Sequence, residues 1–279
     1  MSKMLKKKSR RFLLYVTVIL TCLTLGFPMY WMFNTSIAPQ DDTFLYPPQL
    51  IHPDPTFDAY TKVLTERPVA QWMANSFYLV VLVLAVTIFT ATLAGYALSR
   101  FQNRGTTAVG IFLLASRMLP TTLLVIPLFV VMRVLKLTDT LMAVALADLV
   151  FVVPFTAWML KGYFDSIPRE LEEAAWIDGC TRLRALVQII LPLAAPGIAA
   201  SLMFGAILTW DDFIFARTFI TSSHLWTVTV GLSSFKGEYV TYWNEIMAAS
   251  FIGTIPIVII FSFVERFMIG GLTAGALKG

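Results

Sequence analysis

The chain has 279 residues, of which 57% are hydrophobic and only 14% charged, and its mean hydropathy is +0.74. A soluble domain carries about 25% charged residues, so this composition excludes an ordinary soluble globular protein and describes a multi-pass membrane protein. The net charge of +4 and the isoelectric point near 9.1 belong to membrane orientation and not to nucleic-acid binding, and two cysteines, Cys22 and Cys180, exclude a disulfide framework.

Residues 1–11 form a basic arm with Lys3, Lys6, Lys7, Lys8, Arg10 and Arg11. Phe12 to Phe33 is the first apolar run, with Tyr30 and Trp31 at its far end as interfacial anchors. It is longer than a signal-peptide core and no small-x-small cleavage site follows, so it reads as an uncleaved span. Asn34 to Met73 is a polar excursion rich in Pro and Asp, expected to be extended with a short amphipathic helix near Phe57 to Leu64. Ala74 to Ser99 is a second span, followed by a turn with Arg100 and Arg104. Thr107 to Leu135 is a third, holding Pro120 and Pro127. Lys136 to Thr140 is a tight loop, and Leu141 to Tyr163 is a fourth span with Pro154 inside it.

The fourth span gives way to a polar stretch, residues 165–192, too charged for lipid and too apolar for a linker. Asp165 or Ser166 is expected to cap a helix whose first turn holds Pro168. Glu170, Glu172 and Glu173 load its N-terminal end with the charge that the helix dipole favours. Leu171, Ala174, Ala175 and Asp178 fall at helical spacing, so a mostly small, apolar stripe is expected along one face. Gly179 is expected to end the helix in a left-handed turn. Thr181 to Gln188 restart a helix carrying Arg182 and Arg184, and Leu191-Pro192 lead into the next apolar run. On residue types alone two readings stand: a short helix shaped for a partner's groove, or a solvated loop helix with an acidic start.

Leu193 to Ala216 is the fifth span, and Arg217 to Glu245 a second polar excursion with Trp226, Tyr239, Tyr242 and Trp243. Ile246 to Ile269 is the sixth span; the membrane domain thus covers 12–270 and a tail covers 271–279. There is no internal repeat. Six spans put both ends on one side. The arm, the Arg100/Arg104 turn, the polar stretch with Lys161 and the C-terminal end hold fourteen of the 21 Lys and Arg, and the opposite loops hold six. The positive-inside rule therefore makes both ends, and the 165–192 stretch, cytoplasmic.

An ionisable group at the centre of a membrane helix costs about 2.5–3.5 kcal/mol, so each one needs a reason. Arg117 lies in the third span, Asp148 in the fourth, and Asp211 and Asp212 in the outer half of the fifth beside Trp210. One reading is a wet path in which these groups bond hydroxyls while Trp210, Trp158 or Phe213 stacks on a sugar ring. The other is structural, with Arg117 paired to Asp148 or Asp211 to hold helices together. Pro120, Pro127, Pro154 and Pro256 are expected to kink their helices. No Cys/His set has metal spacing, and there is no GxxxxGK[ST] loop for ATP. The energy for any transport must come from a partner or an ion gradient.

The run Glu173-Ala174-Ala175, three residues, Gly179, nine residues, Ile189, one residue, Leu191-Pro192 resembles the EAA motif of ABC importer permeases at each fixed position. The ending GLTAGALKG at 271–279 is similar to the GLTAGAVKG ending of the shorter permease subunit of maltose-type carbohydrate importers. Thr209-Trp210-Asp211-Asp212-Phe213 sits where that family shows Trp-Asn-Glu-Phe, so the path chemistry differs here.

The resemblance implies an all-α membrane protein: the six-helix transmembrane domain of a type I ABC importer, in the bacterial cytoplasmic (inner) membrane with both termini cytoplasmic. It implies a permease subunit that forms half of the path for a sugar, polyol or sugar derivative delivered by an extracytoplasmic binding protein. The chain would pair with a second homologous permease. Two ATPase subunits would bind beneath and hold the ATP and Mg, leaving this chain without a cofactor and not itself an enzyme. Glu172, Glu173, Ala174, Ala175, Asp178, Gly179, Leu191 and Pro192 would then carry ATPase coupling. Arg117, Asp148, Trp158, Trp210, Asp211, Asp212 and Phe213 would line the path, and Tyr239, Tyr242 and Trp243 would meet the binding protein. Membrane lipid, not nucleic acid, would surround it. An ion-coupled secondary transporter is the alternative, against which stands the missing inverted repeat. An intramembrane enzyme fails for want of a nucleophile–base or metal set in the spans.

Overall fold

The computed structural model of the protein describes residues 2–43, 45–236 and 241–276. In chain order the helices are α1 (Ser2–Ser36), α2 (Asp58–Glu66), α3 (Val69–Arg100), α4 (Arg104–Arg117), α5 (Thr121–Val134), α6 (Leu141–Asp165), α7 (Glu170–Ile177), α8 (Arg182–Ala185), α9 (Leu191–Trp210), α10 (Ile214–Phe219), α11 (Val228–Ser233) and α12 (Trp243–Ala276). Among the described residues there is no β-strand, only an isolated bridge between Lys236 and Thr241.

Five helical stretches are long and apolar enough to cross a membrane: Arg11–Ser36, Val69–Arg100, Leu141–Asp165, Arg182–Trp210 and Trp243–Arg266. The sixth is not the single run expected from the sequence. α4 and α5 meet at 104°. Pro120 stands at the break with φ −60° and ψ 133° and starts α5. It has no N–H to give α4, and its ring drives Leu119 out of helical backbone. Pro127, Pro154 and Pro256 instead lie inside continuous helices.

The fifth span also departs from expectation. α9 stops at Trp210, six residues short of Ala216, and the chain restarts as α10. Asp212 accounts for the restart: its carboxylate accepts the N–H groups of Phe215 (3.2 Å) and Ala216 (2.9 Å), which a continuous helix would have bonded to its own carbonyls. At the other end, α8 runs into α9 through a π-helical segment, Leu186–Ile190, in which the Leu191 N–H reaches back to the Leu186 carbonyl. Pro192 cannot donate to the Gln188 carbonyl, so the regular ladder is already broken there.

The chain divides into two compact units, residues 1–69 with 232–254 and residues 70–231 with 255–279. In the first, the end of α1 is tied to the polar excursion. Asn34 Nδ2 donates to the Gln49 carbonyl (2.9 Å), Ser36 Oγ meets the Tyr60 hydroxyl (2.7 Å), and Asn244 Nδ2 donates to the Ala38 carbonyl (3.3 Å). The expected short helix is α2, which buries Ala59 and Val63. Phe12, Leu13, Tyr15 and Leu25 on α1 are largely exposed, an arrangement that hydrocarbon satisfies and water does not.

The second unit is held by α6. It packs most extensively against α9, along a stripe of small buried residues: Ala194, Gly197, Ser201 and Gly205. Small residues let membrane helices approach closely. A Cβ on Gly197 would lie 2.2 Å from the Tyr163 ring, and Phe155 stacks on Phe204 with ring centres 4.0 Å apart. α3 comes equally close on another side, since a Cβ on Gly95 would meet the Ala157 carbonyl oxygen at 2.9 Å.

Candidate functional site

α6 ends at Asp165, and neither Asp165 nor Ser166 caps the next helix as expected. The Asp165 carboxylate is taken by Ser99 Oγ and Lys161 Nζ, each at 2.6 Å, and the Ser166 hydroxyl donates back to the Tyr163 carbonyl (2.7 Å). α7 therefore starts after Arg169 without a side-chain cap, and its first turn relies on Glu170, Glu172 and Glu173 at the positive end of the helix dipole. Its end follows the sequence. Gly179 has φ +87°, Gly179 N–H donates to the Trp176 carbonyl (3.1 Å), and Cys180 N–H to the Ala175 carbonyl (2.9 Å). That pair of bonds is the Schellman arrangement, and a left-handed residue is needed to make it. Thr181 then caps α8 by accepting the Arg184 N–H (3.3 Å).

The expected stripe on α7 is split. Glu172 is only 2% exposed and Ala175 is buried with it, one turn along the rear. Glu173, Ala174, Asp178 and Gly179 remain exposed, beside Leu171 at 43% and Ile177 at 87%. The two adjacent carboxylates differ because 100° of helix separates them. Glu172 Oε2 accepts the Tyr96 hydroxyl (2.8 Å) and Oε1 accepts Arg100 Nε, so Glu172 is an internal brace and does not face a partner. The outward face is built from Leu171, Ala174 and Ile177, of which only Ala174 was among the sequence-derived coupling residues. Leu191 is half-buried and Pro192 exposed at the start of α9.

A second cluster lies within the spans. Arg117, Asp148, Asp211, Asp212 and Phe213 line one cleft of about 520 Å³. Arg117, at the end of α4, makes no ion pair: its guanidinium donates to the Phe151 carbonyl (3.2 Å) and lies 4.7 Å from the centre of the Phe155 ring. Arg117 belongs to neither of the ion pairs Arg100–Glu172 and Lys161–Asp165, so the expectation that Arg117 pairs with Asp148 or Asp211 fails. Asp148 is 5% exposed and its Oδ2 is buried without a hydrogen-bond partner. Asp212 is occupied in starting α10, and its carbonyl accepts the Thr229 hydroxyl (2.6 Å). Asp211 is exposed just past the end of α9.

The two tryptophans do not line this cleft. Trp210 is buried in the packing of α9. Trp158 lies farther along α6, with Lys161 Nζ 5.6 Å from its ring. Of the three expected stacking rings only Phe213 is present. Tyr239 lies outside the described residues; Tyr242 is exposed and Trp243, partly buried, opens α12.

One clamp had no sequence signal. Asp139, in the loop between α5 and α6, has φ +61°. Its carboxylate accepts the Thr221 and Ser222 N–H groups, each at 2.9 Å, and the Ser222 hydroxyl at 2.5 Å. The Ser222 hydroxyl and these N–H groups hold its carboxyl below the usual carboxylate range. The partners are more than eighty residues away in the chain.

Residues 87–269 match the family described as the binding-protein-dependent transport system inner membrane component. The trehalose/maltose transport system permease protein MalG of Thermococcus litoralis is 36% identical, over 97% of this chain and 98% of its own. The sulfoquinovosyl glycerol transport system permease protein SmoH of Agrobacterium fabrum is 34% identical, over 91% of this chain and 89% of its own. Among solved structures, a bacterial ABC transporter involved in import of the acidic polysaccharide alginate superimposes with a TM-score of 0.77 at 22% identity, covering 94% of this chain and 97% of the other.

Proposed function

We propose a role that proceeds from membership: the chain belongs to the family of inner membrane components of binding-protein-dependent transport systems. It is a multi-pass permease subunit of an ABC importer and not itself an enzyme. Its cargo is a sugar, polyol or sugar derivative handed over by an extracytoplasmic binding protein. The relatives named for trehalose and maltose and for sulfoquinovosyl glycerol support that class. A second homologous permease supplies the other half of the path. Two ATPase subunits bind the ATP and Mg, one against each permease. Both termini face the cytoplasm, a reading that the distribution of Lys and Arg supports.

The observation that carries this reading is α7: an eight-residue helix, buried behind and apolar in front, closed by a left-handed glycine. Leu171, Ala174 and Ile177 are the face that enters the ATPase groove, with Glu173, Asp178 and Gly179 at its rim. Arg117, Asp148, Asp211 and Phe213 line the solute's route, where a guanidinium and carboxylates bond hydroxyls and an aromatic ring covers an apolar sugar face. Arg117, free of any ion pair, also suits an anionic sugar. Tyr242 and Trp243 are offered to the binding protein. The ion-coupled alternative gains no support from the named relatives.

Gly179→Asp tests the reading. A side chain in the left-handed region costs about 1–2 kcal/mol, and the space around Gly179 is open, so the variant is expected to insert. It is expected to lose ATP-dependent uptake in proteoliposomes and to retain fewer ATPase subunits on purification. Uptake at the normal rate removes α7 from the coupling role.

A further inference from the structure

Behind the outward face of α7, the Arg100 guanidinium is bonded to three segments at once. Nε meets Glu172 on α7, Nη1 donates to the Phe164 carbonyl (2.8 Å) in the last turn of α6, and Nη2 donates to the Ile167 carbonyl (3.2 Å) in the connecting loop. Nη1 also reaches Ser99 Oγ (3.0 Å) on its own helix, and Arg169 Nη2 donates to the Ser99 carbonyl (3.0 Å). The side chains of Arg100 and Glu172 are 8% and 3% exposed. Two charges held out of water need fixed geometry and further hydrogen bonds to persist, and a planar guanidinium cannot swing without giving up several of these bonds together.

We propose that the Arg100–Glu172 pair, with Tyr96, is the rigid link through which displacement of α7 is delivered to α3 and α6. This inference rests on the importer reading above. The front of α7 receives the push of the ATPase, and Glu172 is the rear residue that passes it on. α3 and α6 follow together, because Gly95 brings their backbones into contact. Asp148 stands seventeen residues back along α6, about 25 Å at 1.5 Å per residue, so a shift at the link reaches the cleft along one helix. On the other side of α7 the chain continues through the left-handed Gly179, and the Arg182 guanidinium lies 5.1 Å from the centre of the Trp176 ring. Arg100, Glu172 and Tyr96 are thus positioning residues; they touch neither ATP nor solute.

The test uses the complete complex in proteoliposomes, with uptake and ATP hydrolysis measured together. Arg100→Met with Glu172→Met exchanges the pair for apolar side chains, a replacement that proteins with buried ion pairs tolerate. The double variant is expected to assemble and hydrolyse ATP while solute moved per ATP falls about tenfold, the size of ordinary site-to-site coupling. A wild-type ratio in an assembled double variant overturns the proposal and leaves the pair a fold element. If the double variant does not assemble, Glu172→Gln decides: its amide oxygen still accepts Arg100 Nε and its NH2 donates to the Tyr96 hydroxyl, without the charge, and its ratio is expected to drop by about threefold, within the range of partial coupling losses. An unchanged ratio there overturns the link. The unaltered complex serves as the control: absence of ATP-dependent uptake in it sinks the importer reading and the link with it, whereas uptake with normal ratios in the variants sinks the link alone.

Discussion

The 165–192 segment and the intramembrane cleft carry the same residue types and treat them in opposite ways. In the first, each inward carboxylate meets a cation and a hydroxyl: Glu172 meets Arg100 and Tyr96, and Asp165 meets Lys161 and Ser99. In the second, Arg117 has a carbonyl and a ring but no carboxylate, and Asp148 keeps an unpartnered oxygen. A fully satisfied network suits a part that must hold its shape. Groups left unsatisfied around a cleft suit a part that receives a polar solute, since each would gain most from a passing hydroxyl.

The contrast is sharpest when one partner is removed. Glu172→Ala strands Arg100 in a dry site and is expected to cost about 3–5 kcal/mol, read as loss of folded, assembled protein and a lower Tm. Asp212→Ala is expected to cost less, about 1 kcal/mol, because two N–H groups at the start of α10 lose their acceptor. Asp211→Ala beside it leaves Tm in place and changes uptake; a matching fall in Tm instead would mark Asp211 as structural. Arg117→Met is expected to cost about 1 kcal/mol, for one hydrogen bond and one ring contact, while uptake falls in a complex that still assembles. Normal uptake in that variant takes Arg117 off the route.

The smallest effect lies outside both regions. Asp139 has its carboxyl held below the ordinary range by Ser222 and Thr221. A group depressed on folding stabilises at pH values above its ordinary pKa, and that contribution disappears as pH drops through the folded value. Asp139→Asn is therefore expected to lower Tm in the neutral range, where the ionised carboxylate contributes, and to flatten the fall of Tm in the acid range, below about pH 4, where the two curves converge. An acid-range Tm profile identical to that of the unaltered chain removes the clamp.

The contrast also explains what could be read from residues alone. The spans were legible because length and apolar content decide membrane crossing without any partner. The left-handed end of α7 was legible because Gly179 can make that turn and few residues can. The division between Glu172 and Glu173 was not, since it depends on Arg100 and Tyr96, more than seventy residues earlier in the chain. The ends of α4 and α9 were missed for a similar reason. Proline and aspartate pairs mark possible breaks, but neighbouring packing decides whether a helix continues, as at Pro127, or stops, as at Pro120. The cleft was half legible: its charged members were found, and its aromatic lining was overestimated by two tryptophans.

The wide turn at 186–190 sets the azimuth of everything that follows it. One residue of surplus winding advances a helix by about 100°, so the face that α9 offers to α6 is not the one a regular wheel drawn from Arg182 would give. Removing a single residue from this turn would screw Ala194, Gly197, Ser201 and Gly205 away from their groove and bring bulky neighbours round in their place. The five residues thus act as a phase adjuster, reconciling the polar segment's orientation with the one that the small-residue seam demands.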